Sequence, residues 1–217
     1  MNEQVGAKRR YHSPRRSEQA AATRQAVLAA AWELFVGTGY ATTTVADIAG
    51  RARVSVDTVY ATVGRKPALL RELLESALSG TDKAAPAEQR DYVRRIHAAP
   101  TAGEKIAVYA HAVAELQQRM APVFLALRDA AATDPECAAL WDEISARRAA
   151  NLRVFAADLR RTGELRDDLS DEEVADIIWS MNAAEYWVLL VHERGWTPHR
   201  FAQWLVDAWT RLLRTGP

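Results

Sequence analysis

Residues 44–60, TVADIAGRARVSVDTVY, constrain the fold more than any other stretch of this 217-residue chain. Thr44 stands three positions before Asp47, the spacing of a capping box, in which hydroxyl and carboxylate each satisfy a backbone N–H left free by a starting helix. A helix over about 45–52 follows, with Val45, Ile48 and Ala49 on its inner face. Arg53, Val54 and Ser55 make a turn, and the Ser55 hydroxyl can cap a second helix over about 56–62. That second helix is about two turns long and poor in large apolar side chains, which suits an outer face that meets something other than the chain's own core. Two short helices joined in this way are the arrangement that sets one helix into a DNA major groove.

The flanks complete a small helical head. Val27, Leu28, Ala31, Leu34 and Phe35 recur at helical spacing between Ser17 and Val36, with Trp32 beside them and Gly39 ending the helix. Pro67 suits the first turn of a fourth helix that carries Leu69, Leu70, Leu73 and Leu74 towards Leu78. The expected division is a flexible basic arm over 1–17, a helix-turn-helix domain over 18–79, a polar interruption over 80–86 and a helical body over 86–215. The net charge of the chain is zero, but residues 1–70 hold ten Lys and Arg against five Asp and Glu, a charge of +5 that leaves −5 for the remainder. A head attracted to phosphate and a body that is not would give this asymmetry; so would chance on an ordinary surface.

With 49% apolar residues the chain has ample material for a core. The body reads as helices over about 87–98 and 102–120, a new helix admitted by Pro122, and a long one to about 161 opened by Asp134 and Pro135. A helix over about 170–192 follows, started by a second capping box, Ser170 with Glu173, and a last helix runs from Thr197 and Pro198 to about 211. Tyr109, Val113, Leu116, Phe124, Leu127, Trp141, Ile144, Phe155 and Trp179 can line an apolar effector cavity, with Arg148, Asn182, His111 or Glu185 as polar contacts; each can equally be ordinary core or surface. The final two helices are apolar over more than one face. Val174, Ile178, Glu185, Leu189, Phe201, Trp204, Leu205 and Trp209 are therefore candidates for a surface shared with a second copy, or for a core wrapped within one chain.

Other function classes find little support. The histidines at 12, 97, 111, 192 and 199 show no metal-ligand spacing, and there is no glycine-rich phosphate loop. No metal, cofactor or catalytic residue is expected. Cys137 is the only cysteine, which fits a reducing cytoplasm. No apolar run approaches the roughly 20 residues that cross a bilayer, and the basic N-terminus lacks the apolar stretch of a secretory signal.

Residues 27–74 closely resemble the DNA-binding head of tetracycline-repressor-like (TetR/AcrR) transcriptional regulators. The resemblance lies in VLAAAWELFVGTGY, in TTVADIAGRARVSVDTVY as helix, turn and helix, and in GRKPALL leading into the fourth helix. It implies an all-α fold, with an antiparallel helical ligand-binding and dimerisation domain behind the head. It also implies phosphate contacts from Thr44, Tyr60 and Lys66, base contacts from Val56, Asp57 and Thr58, and a homodimer on a palindromic operator that a small apolar or amphipathic effector releases. Ser55 and Arg53 complete the candidate DNA-binding set, Arg53 as a phosphate contact. Tyr60 can instead pack between helices, and Asp57 can simply favour its own helix dipole. Two departures stand out: Arg53 replaces the family's usual turn glycine, and Thr62 and Val63 replace a frequent histidine and phenylalanine. A dimeric helical sensor or scaffold with weak or lost specific DNA binding is the alternative they suggest. The resemblance places the protein in the cytoplasm, on chromosomal DNA.

Overall fold

The computed structural model describes residues 14–79 and 90–215. Among these residues the chain forms ten α-helices and no strand, only an isolated bridge between Leu165 and Arg214. The head comprises α1 (Pro14–Gly37), α2 (Val45–Ala52), α3 (Val56–Thr62) and α4 (Lys66–Ser79). The body comprises α5 (Asp91–Ala98), α6 (Ala102–Ala131), α7 (Pro135–Arg160), α8 (Asp171–Met181), α9 (Ala184–Trp187) and α10 (Pro198–Leu213). Residues 1–13 of the expected arm and the expected interruption at 80–86 lie outside the described residues. Residues 14–17 already belong to α1, whose first position suits Pro14 because a proline there forfeits no hydrogen bond.

Local chemistry sets the helix starts. Thr44 and Asp47 form the reciprocal box, as do Ser170 and Glu173. Asp134 caps α7 by accepting from the N–H groups of Glu136 and Cys137, with Pro135 at the first position. Thr101 and Thr197 cap α6 and α10 through their hydroxyls.

Two expected boundaries differ. Pro122 lies inside the continuous helix α6 instead of opening a new one. The carbonyl that its missing N–H frees belongs to Gln118, on the exposed face, while Ala121, Val123 and Phe124 are buried on the other, so packing on both sides of the proline holds the helix together. The helix expected over 170–192 stops at Asn182. There Ala183 is extended, and the Asn182 carbonyl accepts 2.7 Å from Gln117 Nε2 of α6. The chain restarts as α9 and continues as a π-helical turn over Val188–Glu193.

The head's core is Val27, Ala31, Phe35, Ile48, Val59, Leu69, Leu70 and Leu74, all almost fully buried. It runs into the body's core, where α10 packs along α6 and α8 lies against α7. One charged pair is buried within that core. Lys105 Nζ donates 2.7 Å to Asp158 Oδ2 and 2.7 Å to the Ile96 carbonyl, tying α5, α6 and α7 together. Burial alone would raise the Asp158 carboxyl, but hydrogen bonds from Lys105 and Arg161 hold it below the ordinary range.

Candidate nucleic-acid interface and internal cavity

The helix-turn-helix is anchored from beneath and open above. Val59 is the only residue of α3 that is fully buried, whereas Val56 and Tyr60 are 38% and 49% exposed and Asp57 is exposed between them. Tyr60 therefore does not pack between helices. Ser55 Oγ accepts 3.1 Å from the Thr58 N–H and lies 2.8 Å from Thr58 Oγ1, so both hydroxyls are engaged in starting α3.

Arg53 resolves the missing turn glycine. It adopts φ 56° and ψ 43°, the left-handed conformation, and its N–H closes the end of α2 on the carbonyls of Ala49 and Gly50. It is the one non-glycine residue with positive φ among those described. An arginine thus occupies a backbone state that normally selects glycine, and the turn is kept at a cost of about 1 kcal/mol. Its side chain is exposed and joins no ion pair among the described residues. Thr62 turns its hydroxyl back on the Thr58 carbonyl at 2.6 Å, and its own carbonyl accepts 3.2 Å from Arg24, which also pairs with Glu72. These bonds secure the end of α3 without a large aromatic.

Thr44 and Lys66 stand differently from the simple expectation of free phosphate donors. The Thr44 hydroxyl donates to Asp47 Oδ2 at 2.6 Å within the cap. Lys66 Nζ donates 2.7 Å to the Tyr40 carbonyl and lies 4.0 Å from the centre of the Tyr40 ring. Burial lowers the pKa of that amine. The Thr44 backbone N–H is likewise taken, by Asp47 Oδ2 at 2.8 Å, so what α2 and α4 can still offer is the N–H groups of their first turns.

A cavity of about 290 Å³ opens in the body between α5, α6, α7 and the break after α8. Of the expected lining, Tyr109, Val113, Leu116, Phe124, Arg148, Phe155 and Asn182 reach it. Leu127 and Ile144 are buried in core away from it, Trp141 packs on Phe124 with ring centres 4.7 Å apart, and Trp179 stands on the outside, 37% exposed. His111 faces His199 and Gln203 instead, and Glu185 pairs with Arg128. Residues that sequence reasoning missed also line the cavity, among them Arg90, Tyr92, Ile96, Gln117, Met120 and Leu152. Gln117 alone carried a signal, as a polar residue at helical spacing from Val113, Ala114, Ala121 and Phe124 on the inner face of α6.

Asn182 is the polar hub of the cavity. Its Oδ1 accepts 2.6 Å from Arg148, its Nδ2 donates 2.8 Å to the Tyr109 hydroxyl, and its carbonyl accepts from Gln117. The helix break that periodicity did not foresee is what turns these groups towards the cavity.

Cavity and head meet through α7. At its start Asp134 Oδ2 accepts 2.7 Å from the Tyr40 hydroxyl. About two and a half turns along, Glu143 holds Arg71 of α4 bidentately at 2.8 and 2.7 Å, and Arg147 reaches Glu75 at 2.7 Å. The next residue, Arg148, is in the cavity wall.

The expected shared surface is corrected in part. Val174, Ile178, Phe201, Leu205 and Trp209 are fully buried within one chain, because α6 and α7 cover them, and cannot meet a second copy. Glu185, Leu189 and Trp204 reach the surface, beside Trp179 and Tyr186. Among the described residues no group of three or more His, Cys, Asp and Glu could hold a metal ion, and no single helix is long and apolar enough to cross a membrane.

The sequence model of the bacterial regulatory proteins of the tetR family matches residues 27–73. No curated protein matches the chain significantly. Among solved structures, a choline complex from Saccharomonospora viridis is 19% identical, with a TM-score of 0.67 over 92% of this chain and 100% of that one. The MbdR regulator from Azoarcus sp. CIB is 21% identical, with a TM-score of 0.66 over 86% and 96%. The SmeT–triclosan complex is 18% identical, with a TM-score of 0.68 over 89% and 92%. At these identities the likeness is one of fold, and it extends over head and body alike.

Proposed function

Because the chain belongs to the tetR family of bacterial regulatory proteins by its amino-terminal head, we propose that it represses transcription as a homodimer released by a small apolar or amphipathic effector. Residues 18–79 form the DNA-binding unit and 86–215 the effector-binding and dimerising unit, at work on the chromosome in the cytoplasm. Each α3 enters a major groove of a palindromic operator, with the two half-sites about one helical turn apart. Val56, Asp57 and Thr58 face the base edges. Tyr60, Arg53 and the first-turn N–H groups of the helices that Thr44 and Lys66 open hold phosphate, while Ser55 sets the helix start. The outer patch of Trp179, Tyr186, Leu189 and Trp204, rimmed by Glu185, meets its twin.

The observation that carries this reading is that a single helix, α7, is both a wall of the cavity and a contact of the head. A molecule that displaces Arg148 acts on the element whose cap, Asp134, holds Tyr40 and whose Glu143 and Arg147 hold α4. Relatives of the same fold hold choline and triclosan, which supports a small-molecule role for the cavity. Linkage then requires that the effector prefer the DNA-free arrangement and that DNA weaken the effector by the same factor. Arg53 preserves the turn, so nothing in the head favours a scaffold that has lost DNA recognition.

Selection of bound duplexes from a random library tests the reading. An inverted repeat should be enriched, with half-site centres about 10 base pairs apart; enrichment of no sequence would refute it.

A further inference from the structure

Arg148 differs from most arginines that are partly buried. Partly buried Arg24, Arg160, Arg166 and Arg214 each pair with a carboxylate. The partners of Arg148 are neutral: Asn182 Oδ1 at 2.6 Å, and the rings of Phe124 and Trp179, whose centres lie 5.2 and 5.6 Å from the guanidinium carbon. Glu185, beyond the helix break, favours the Arg148 charge only at longer range and is itself committed to Arg128. Arg90 and His97 stand in the same wall, and no Asp or Glu among the described residues lines the cavity. Burial works against the charge of Arg148. A guanidinium in such a place is best compensated by a carboxylate, which it can hold through two parallel hydrogen bonds.

We propose that the cavity selects an amphipathic organic carboxylate, bound by Arg148 with Asn182 and Tyr109 and lying with its apolar part against Val113, Phe124 and Phe155. This inference rests on the reading of the cavity as the effector site. The Tyr109 oxygen accepts from Asn182, which leaves its own proton for a second carboxylate oxygen. The volume of about 290 Å³ admits an acid on the order of ten to fifteen heavy atoms, at ~20–30 Å³ each. Tyr92, Tyr109 and Phe155 would by themselves suit a quaternary ammonium, but the arginine charge beside them opposes a cation.

Calorimetric titration of the full-length protein with decanoate, 1-decanol and decylammonium tests this, at neutral pH and below the micelle concentration of each. Decanoate should bind at least about tenfold more tightly than decanol, with decylammonium weakest. Arg148→Gln should cost decanoate about that factor and leave decanol within about twofold. Asn182→Asp keeps the arginine but gives it an internal carboxylate, and should abolish the preference independently, so that one unfolded variant does not decide the matter. Equal or tighter binding of decanol or decylammonium, no binding of any probe at about 1 mM, or a decanoate preference unchanged in both variants would overturn the assignment. Release of duplex DNA is measured separately. Decanoate that binds in the expected order without releasing DNA counts against the regulatory reading and supports the carboxylate assignment. Release by decylammonium in place of decanoate counts against this inference and leaves the regulatory reading standing.

Discussion

The Tyr40 hydroxyl, in the loop between α1 and α2, donates 2.7 Å to Asp134 Oδ2, which caps α7 from 94 residues away. One carboxylate thereby fixes the start of a body helix and the edge of the head together. Burial pushes the Tyr40 phenol well above its usual pKa, so it stays a donor, and its hydrogen bond is the largest influence holding Asp134 below the usual carboxylate range. Tyr40→Phe should cost about 1–2 kcal/mol in denaturant unfolding at pH 7. A depressed carboxyl contributes stability above its unfolded value of about 3.9 and loses it as pH falls through the folded value. The cost of Tyr40→Phe should therefore shrink as pH falls below the unfolded carboxylate value. A double-mutant cycle with Asp134→Ala that shows additivity would mean the bond contributes nothing.

Arg53 separates backbone strain from DNA contact. Arg53→Gly should raise stability by about 0.5–1 kcal/mol, since glycine adopts the left-handed state freely. The same change should lower affinity for any duplex and reduce the slope of log affinity against log salt by about one. Thermal unfolding checks the first outcome and a salt series of binding titrations the second.

On α3, position and readout should divide between exposed residues. Tyr60→Phe should weaken specific and non-specific duplexes alike, by about threefold to tenfold. Val56→Ala, which removes apolar contact at the helix start, should change their ratio. Competition gel shifts with both variants measure this, and identical ratios would contradict the division.

The buried Lys105–Asp158 pair should be costly to break. Lys105→Met leaves a buried carboxylate with only the more exposed Arg161 and should destabilise by about 3–5 kcal/mol at neutral pH. Asp158 is depressed in the folded state, so the stability it supplies is present above about pH 4 and is lost below it. The penalty of Lys105→Met should fall accordingly in urea titrations at acid pH.

What could be read from the sequence was local chemistry. The caps at Thr44, Ser55, Asp134, Ser170 and Thr197 involve residues a few positions apart, and they place helix starts closely. The misjudged features depend on distant partners. Pro122 is carried through α6 by packing on both sides. Asn182 breaks its helix because Gln117, Arg148 and Tyr109 claim its polar atoms. The Lys66 amine is drawn to Tyr40, 26 residues away. Broad apolar faces on α8 and α10 looked like surface shared between chains, but Phe201, Leu205 and Trp209 are covered by α6 of the same chain. Periodicity shows that a face is buried and does not show what buries it.

Sequence-specific recognition of duplex DNA underlies every regulatory role given to this protein, and anisotropy titration measures it most directly. A labelled duplex from upstream of the protein's own gene should bind at least about 100-fold more tightly than a shuffled duplex at physiological salt, with a steep salt dependence for both. Equal affinity for the two duplexes across the salt series would contradict it.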